Sequence, residues 1–146
     1  MEATITKPKE RTFSYEEVLE GTKGKSIVEE LKEGLTADKL IRFFSVIPEE
    51  GWCRGSFLDV ETGQSCAMGW FIRGYFGQYN PIKWVAGQLA AHNVIGAWSH
   101  KVIHRLGPGY YQDIASVNDG HSRYYRQPTP KQRVLAFLED AKEAGF

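Results

Sequence analysis

Apolar positions recur at helical spacing over much of the chain, and the polar residues between them mark where helices start and stop. Ser14 and Glu17 form a capping box, in which the Ser side chain caps the Glu amide and the Glu reaches back. A short helix is expected from there to about Glu20, broken by Gly21 and Gly24. Ile27, Val28 and Leu31 share one side of a second helix over 25–33, which Gly34 ends. Thr36 caps a third, whose apolar face is Leu40, Ile41, Phe43 and Phe44.

The pattern changes at Pro48. Residues 49–51 read as a loop, and the loose alternation over 52–60 predicts a strand, followed by a turn over 59–64 that pivots on Gly63. Ser65 is placed to cap a helix over 66–76 that is apolar almost all round (Ala67, Met68, Trp70, Phe71, Ile72), the mark of a central buried helix. Asn80-Pro81 restarts the chain, because Pro suits a first helical position. A helix over 82–91, a break near His92 and Asn93, and a helix over 95–106 follow, stopped by Gly107-Pro108-Gly109. Residues 111–117 predict a second strand, pairing with the first, before the turn signal Asn118-Asp119-Gly120. Thr129-Pro130-Lys131-Gln132 combines a capping box with a first-turn Pro. It opens a last helix to about Glu143, with Val134, Leu135, Leu138 and Ala141 as its buried stripe.

The expected fold class is therefore α+β: one mainly helical domain, five or six helices around a small antiparallel sheet, with 66–76 and 131–141 in the core. Residues 1–11 are polar, with Pro8 among charges, and read as a flexible start to a globular domain over 12–146.

Length and charge narrow the function classes. A chain of 146 residues buries enough surface to hold together without a disulfide or metal, and nothing in it calls for a cofactor. The formal charge is zero, which argues against wrapping duplex nucleic acid. The balance hides an asymmetry. Residues 10–50 carry ten acids against six bases, whereas 101–133 carry six bases against two acids. No apolar run approaches the ~20 residues of a membrane span and no apolar signal follows Met1, so the expected compartment is the cytoplasm, with Cys53 and Cys66 reduced.

Four stretches together carry a family likeness: Gly51-Trp52-Cys53-Arg54-Gly55, then Thr62 through Gly69, then Val117-Asn118-Asp119, then 130–141 with its Val-Leu-Ala-Phe-Leu core. Over 50–142 the chain resembles a family of small uncharacterised bacterial and bacteriophage proteins. These carry a Trp-containing strand, a Cys-x-x-Gly helix start, a Trp-Asn-Asp turn and a closing amphipathic helix. Here Val117 stands in place of the usual Trp, and the segment from Tyr110 to Gln127 is longer and richer in Tyr. The resemblance implies a fold and a bacterial or phage setting, and no activity.

Four constellations bear on chemistry. Cys66 falls at an expected helix N-terminus, where free amides favour a thiolate, with His121 as a candidate base and Asp119 as its orienting acid. The competing reading is a buried core thiol. His100 and His104 stand four apart on one helix face, a spacing that can chelate zinc, but no further ligand or helical metalloprotease Glu accompanies them, so no metal site is assigned. Gly24-Lys25-Ser26 mimics the end of a phosphate loop, but Leu19 stands where the motif needs Gly, and the stretch reads as a linker. The strongest candidate is the basic, aromatic segment of Arg105, Tyr110, Tyr111, Arg123, Tyr124, Tyr125 and Arg126, whose residue types are enriched in binding hot spots and also suit base stacking and phosphate contact. The functional expectation is a non-enzymatic binding protein, phage- or mobile-element-encoded, that acts on a host protein or sequesters a small anionic ligand. The alternatives are a small cysteine-dependent hydrolase or transferase and, more weakly, a single-stranded nucleic-acid binder.

Overall fold

The computed structural model describes residues 24–76, 84–107 and 113–146. The helix expected near 14–20 and the flexible start at 1–11 lie outside them.

The first two described helices follow the sequence closely. Helix α1 (Gly24–Glu33) ends as Gly34 takes a positive φ of 149°. Helix α2 (Ala37–Ser45) begins where Thr36 Oγ1 accepts a hydrogen bond from the Lys39 amide at 3.2 Å, closing one of the free N–H groups of the first turn. It buries Leu40, Phe43 and Phe44, spaced so that they share one face. A 3-10 turn (Glu49–Gly51) leads into a loop from Trp52 to Cys66.

Helix α3 (Ala67–Tyr75) is the centre of the fold, packing on α1 and on three later helices. All its residues from Ala67 to Gly74 are buried. Helix α4 (Trp84–Ala91) passes through a π-turn (His92–Gly96) into α5 (Ala97–Leu106) without a gap, so the break expected at His92 and Asn93 is a widened turn in one rod. Short α6 (Ile114–Asn118) precedes an irregular segment over 119–129, and α7 (Pro130–Glu143) closes the chain between α2 and α6. Thr129 Oγ1 accepts from the Gln132 amide at 3.1 Å and Pro130 opens the helix, as its sequence signal requires. The buried stripe of α7 is Val134, Phe137, Leu138 and Ala141, while Leu135 is half-buried.

The α+β expectation is overturned. The structure is mainly helical, and among the described residues there is no strand, only an isolated parallel bridge between Trp52 and Ser65. The stretch 52–60 finds no partner strand because its polar backbone is satisfied within its own loop. Cys53 N donates to Ser65 O (3.1 Å), Cys66 N to Ser56 O (3.0 Å) and Asp59 N to Gln64 O (2.8 Å). Its apolar alternation instead reflects buried Trp52 and half-buried Phe57 and Leu58 lying on the helical core. In the second supposed strand, Tyr111 and Gln112 lie outside the described residues, and Ile114 and Val117 bury themselves from a helix, which their spacing of three also suits. Asp113 starts that helix by accepting from the Ser116 amide at 2.9 Å.

The 52–66 loop sits directly on α3. A Cβ at Gly69 would fall 1.9 Å from Phe57 O, so the loop backbone occupies the space a side chain would need. Trp70 Nε1 donates to Gly51 O at 2.8 Å. Arg73, only 4% exposed, lies 4.0 Å over the Trp70 ring and donates to Gly63 O (2.7 Å) and Ser65 Oγ (2.9 Å). A charged side chain on an all-buried helix is tolerated because its guanidinium closes the loop's acceptors. Among the described residues no helix is long and apolar enough to cross a membrane.

Candidate functional site

The second irregular segment, 119–129, is built on α7 as the first is on α3. Its start is the turn at Asn118-Asp119-Gly120, where Gly120 takes a φ of 81° that a side chain would resist. Arg133, from the second turn of α7 and 7% exposed, donates through Nε to Val117 O (3.2 Å), through Nη2 to Asn118 O (2.7 Å) and through Nη1 to Gln127 O (2.8 Å). Both ends of the segment are thereby tied to one guanidinium. Its pKa is lowered, first by burial and then by the like charge of Arg54, while Asp119 acts the other way.

Fully buried Asn118 joins the two segments. Its Oδ1 accepts from Ala67 N, at the first turn of α3 (3.0 Å), and its Nδ2 donates to Cys53 O (3.0 Å) and to Asp119 Oδ1 (2.9 Å). Asp119 Oδ1 also accepts from Gly55 N at 2.9 Å. These bonds bring Arg54 alongside the 118–120 turn, 64 residues further along the chain from Gly55 to Asp119.

From there the chain alternates between anchors and exposed groups. Ser122 is buried and its hydroxyl accepts from Tyr124 N at 3.1 Å. Tyr125 is buried, with its ring edge-on to Phe137 and its hydroxyl donating to Asp140 Oδ2 at 2.6 Å. Between and beside these anchors His121, Arg123, Tyr124 and Arg126 are exposed, and the Arg123 guanidinium lies 5.5 Å from the Tyr124 ring centroid.

The chain matches no family model, no curated protein and no solved structure.

The structure separates several residues that the sequence groups together. Arg123, Tyr124 and Arg126 share an exposed segment, but Tyr125 faces inward as an anchor. Arg105 sits on the last turn of α5 with its guanidinium 5.8 Å over the Phe146 ring. Tyr110 and Tyr111 lie outside the described residues. Arg54 is the residue that pattern reading missed. Its only signal is its place between Cys53 and Gly55, and both bond to the turn at 118–119.

Cys66 precedes α3 as expected, but Ser65 makes no cap there and the thiol is enclosed, at 6% residue exposure. Burial pushes its pKa up to about 12, and the nearby Cys53 and Asp119 add to the rise. A thiol so placed is about one part in 10⁵ ionised at neutral pH. The Asp119 oxygen that would orient an imidazole is bonded to Gly55 and Asn118, and His121 is exposed. These positions give Cys66 a packing role. Half-buried Cys53 donates to Ser56 O at 3.6 Å, and its pKa rises to about 11, again chiefly through burial.

His100 and His104 are both exposed on α5, and among the described residues no three His, Cys, Asp or Glu side chains gather as a metal site. Gly24, Lys25 and Ser26 stand in the first turn of α1, and residues 1–23, where the rest of a phosphate loop and its strand would fall, lie outside the described residues. One acid of α1 and one of α2 find partners nearby. Glu30 pairs with Arg42 at 2.6 Å, and Asp38 with Arg42 (3.6 Å) and Lys142 (3.5 Å). Among the described residues no ion pair joins an acid to Arg123 or Arg126.

Proposed function

We propose that this chain is a non-enzymatic binding protein that meets an anionic partner through Arg123, Tyr124 and Arg126. One observation carries the reading. These three exposed side chains stand on an irregular segment fixed from behind by Ser122, Tyr125 and Arg133. Residues held in place before binding lose little conformational entropy when a partner arrives. Arg supplies forked donors to carboxylate or phosphate, and Tyr adds rigid contact area.

Two kinds of partner suit such a surface: an acidic patch on a host protein, or a small anionic ligand held in sequestration. The host-protein form and its bacterial or phage setting rest on the resemblance carried by 51–55, 62–69, 117–119 and 130–141. Zero net charge weighs against a nucleic-acid partner, which calls for a strong positive field.

The test is native mass spectrometry of untagged protein from its producing cells, beside the Arg123→Ala/Arg126→Ala double variant. The expected result is extra mass on the folded wild type that disappears on denaturation and is lost from the variant. Bound mass retained equally by both proteins, or bare protein from both, would remove this surface as the binding site.

A further inference from the structure

The chain has two cysteines, and the fold brings both to the same end of the 52–66 segment. Trp52 and Ser65 form the isolated parallel bridge, closed by Ser65 N to Gly51 O (3.1 Å) and by Cys53 N to Ser65 O (3.1 Å). Trp52 and Cys66 both have extended backbones. Cys53 and Cys66 are the residues that follow on either side of the bridge, so they stand opposite one another. Paired extended chains run about 4.8 Å apart, and opposed residues point to the same face. A disulfide spans Cα atoms about 4.4–6.8 Å apart, so the register suits one.

Two further sets of bonds hold the chain together just past the bridge. Ser56 O accepts from Cys66 N at 3.0 Å and from the Cys53 thiol at 3.6 Å, which puts the Cys53 sulfur within a few ångströms of the Cys66 backbone. Asn118 accepts from Ala67 N and donates to Cys53 O, each at 3.0 Å, and so ties 53 to the residue after Cys66. Most of these bonds are made by backbone or by Asn118, and they hold 53 against 66 whatever the state of the thiols. The two thiols differ in reach: Cys53 is half-buried, whereas Cys66 is enclosed.

We propose that Cys53 and Cys66 are a dithiol that closes to a disulfide on oxidation and clasps the 52–66 segment to the start of α3. The oxidant is a small disulfide such as oxidised glutathione. Cys53, the more open thiol, loses its proton and attacks one sulfur of the small disulfide, and one small thiol leaves. Cys66 then loses its proton and attacks the Cys53 sulfur, and the second small thiol leaves. The chain gives up two protons and two electrons, and the small disulfide takes them up as two thiols. Burial keeps both cysteines un-ionised, which slows closure and also makes each a poor leaving group when the bond is reduced. The clasp therefore forms slowly and reopens slowly. It goes beyond the binding role proposed above and does not depend on it.

The test uses the folded full chain, fully reduced and then incubated with oxidised glutathione, beside Cys53→Ser and Cys66→Ala. After acid quenching, free thiols are labelled with N-ethylmaleimide in denaturant and counted by intact mass. Wild type is expected to take no label and to weigh two hydrogens less than the reduced chain. Each variant is expected to end with its remaining cysteine labelled or carrying one glutathione. An unfolded chain can also close, so the melting temperature supplies the second readout. The oxidised wild type is expected to melt about 5 °C above the reduced one, because the closed loop restricts the unfolded chain. Glutathione retained on Cys53 with Cys66 free, chains joined in pairs, or two labelled thiols in the wild type would each overturn the proposal. So would an oxidised chain that melts at or below the reduced one, since the fold would then not be prepared for the bond. None of these outcomes touches the reading of Arg123, Tyr124 and Arg126, which involves no thiol.

Discussion

The two irregular segments, 52–66 on α3 and 119–129 on α7, are held by the same device and show different faces to solvent. Each is tied to the helix beneath it by a buried arginine: Arg73 donates to Gly63 O and Ser65 Oγ, and Arg133 to the carbonyls of Val117, Asn118 and Gln127. Each is further pinned by an aromatic residue reaching a polar atom, Trp70 to Gly51 O and Tyr125 to Asp140. The first segment exposes a mixed set, Arg54, Val60 and Glu61, whereas the second exposes His121, Arg123, Tyr124 and Arg126 with no acid among them. Anchoring alone therefore does not mark a segment as a binding surface. The two segments differ in the side left in water, and the binding role proposed for the second rests on that side.

The comparison can be broken most forcefully at the tightest contact. Gly69→Ala drives a methyl into the Phe57 carbonyl and is expected to cost about 3 kcal/mol or more, detaching 52–66 from α3. Chemical denaturation checks it, and a loss below about 1 kcal/mol would mean the loop backbone yields easily. Asn118→Ala removes the buried link between the two segments, leaving the bond from Gly55 N to Asp119, and deprives Ala67 N and Cys53 O of that partner. A loss of about 2–4 kcal/mol is expected, with faster amide exchange in both segments at once. Exchange that rises in one segment alone would show that they are not joined through this residue.

Smaller changes sharpen the contrast. Tyr125→Phe keeps the edge-on packing against Phe137 and removes the bond to Asp140, for an expected loss of about 1 kcal/mol. The thiols provide a pH readout. Both are harder to ionise in the folded chain than in the unfolded one, so their contribution to stability is complete below about pH 8.5 and is lost as pH rises through about 11 for Cys53 and about 12 for Cys66. Alkylation of native protein at neutral pH should reach half-buried Cys53 first and leave Cys66 almost untouched. Rapid modification of Cys66 would contradict its enclosure.

The helices were legible in the sequence where a cap or a stop states its own geometry. Thr36, Gly34, Gly107 and Thr129-Pro130 did so, and the all-apolar run of α3 marked the core. The two supposed strands were misread because alternation over a few residues does not separate a strand from a loop draped on a helix. Both patterns put every second or third side chain against apolar surface. Asp113 ahead of Ser116 was the available sign that the second of them is helical. Of the candidate site, residue type pointed to Arg123, Tyr124 and Arg126, but it did not separate inward Tyr125 from outward Tyr124, since that choice is made by Phe137 and Asp140 on another element. Arg73 did carry a signal. A lone charge within an otherwise apolar helix must find its acceptors inside the fold. Arg133 carried none, because the carbonyls it closes, at 117, 118 and 127, are brought to it only by the folded chain.

The most direct measurement sets a buried arginine against an exposed one in the same segment: urea unfolding of Arg133→Met beside Arg123→Ala. Arg133→Met removes a donor from three carbonyls, of which only Val117 O keeps a second one, from Gly120 N, and is expected to lose about 3 kcal/mol, whereas Arg123→Ala should stay within about 0.5 kcal/mol of the wild type. Similar losses in the two variants, or a larger one in Arg123→Ala, would contradict the division between anchoring and presented arginines on which the account rests.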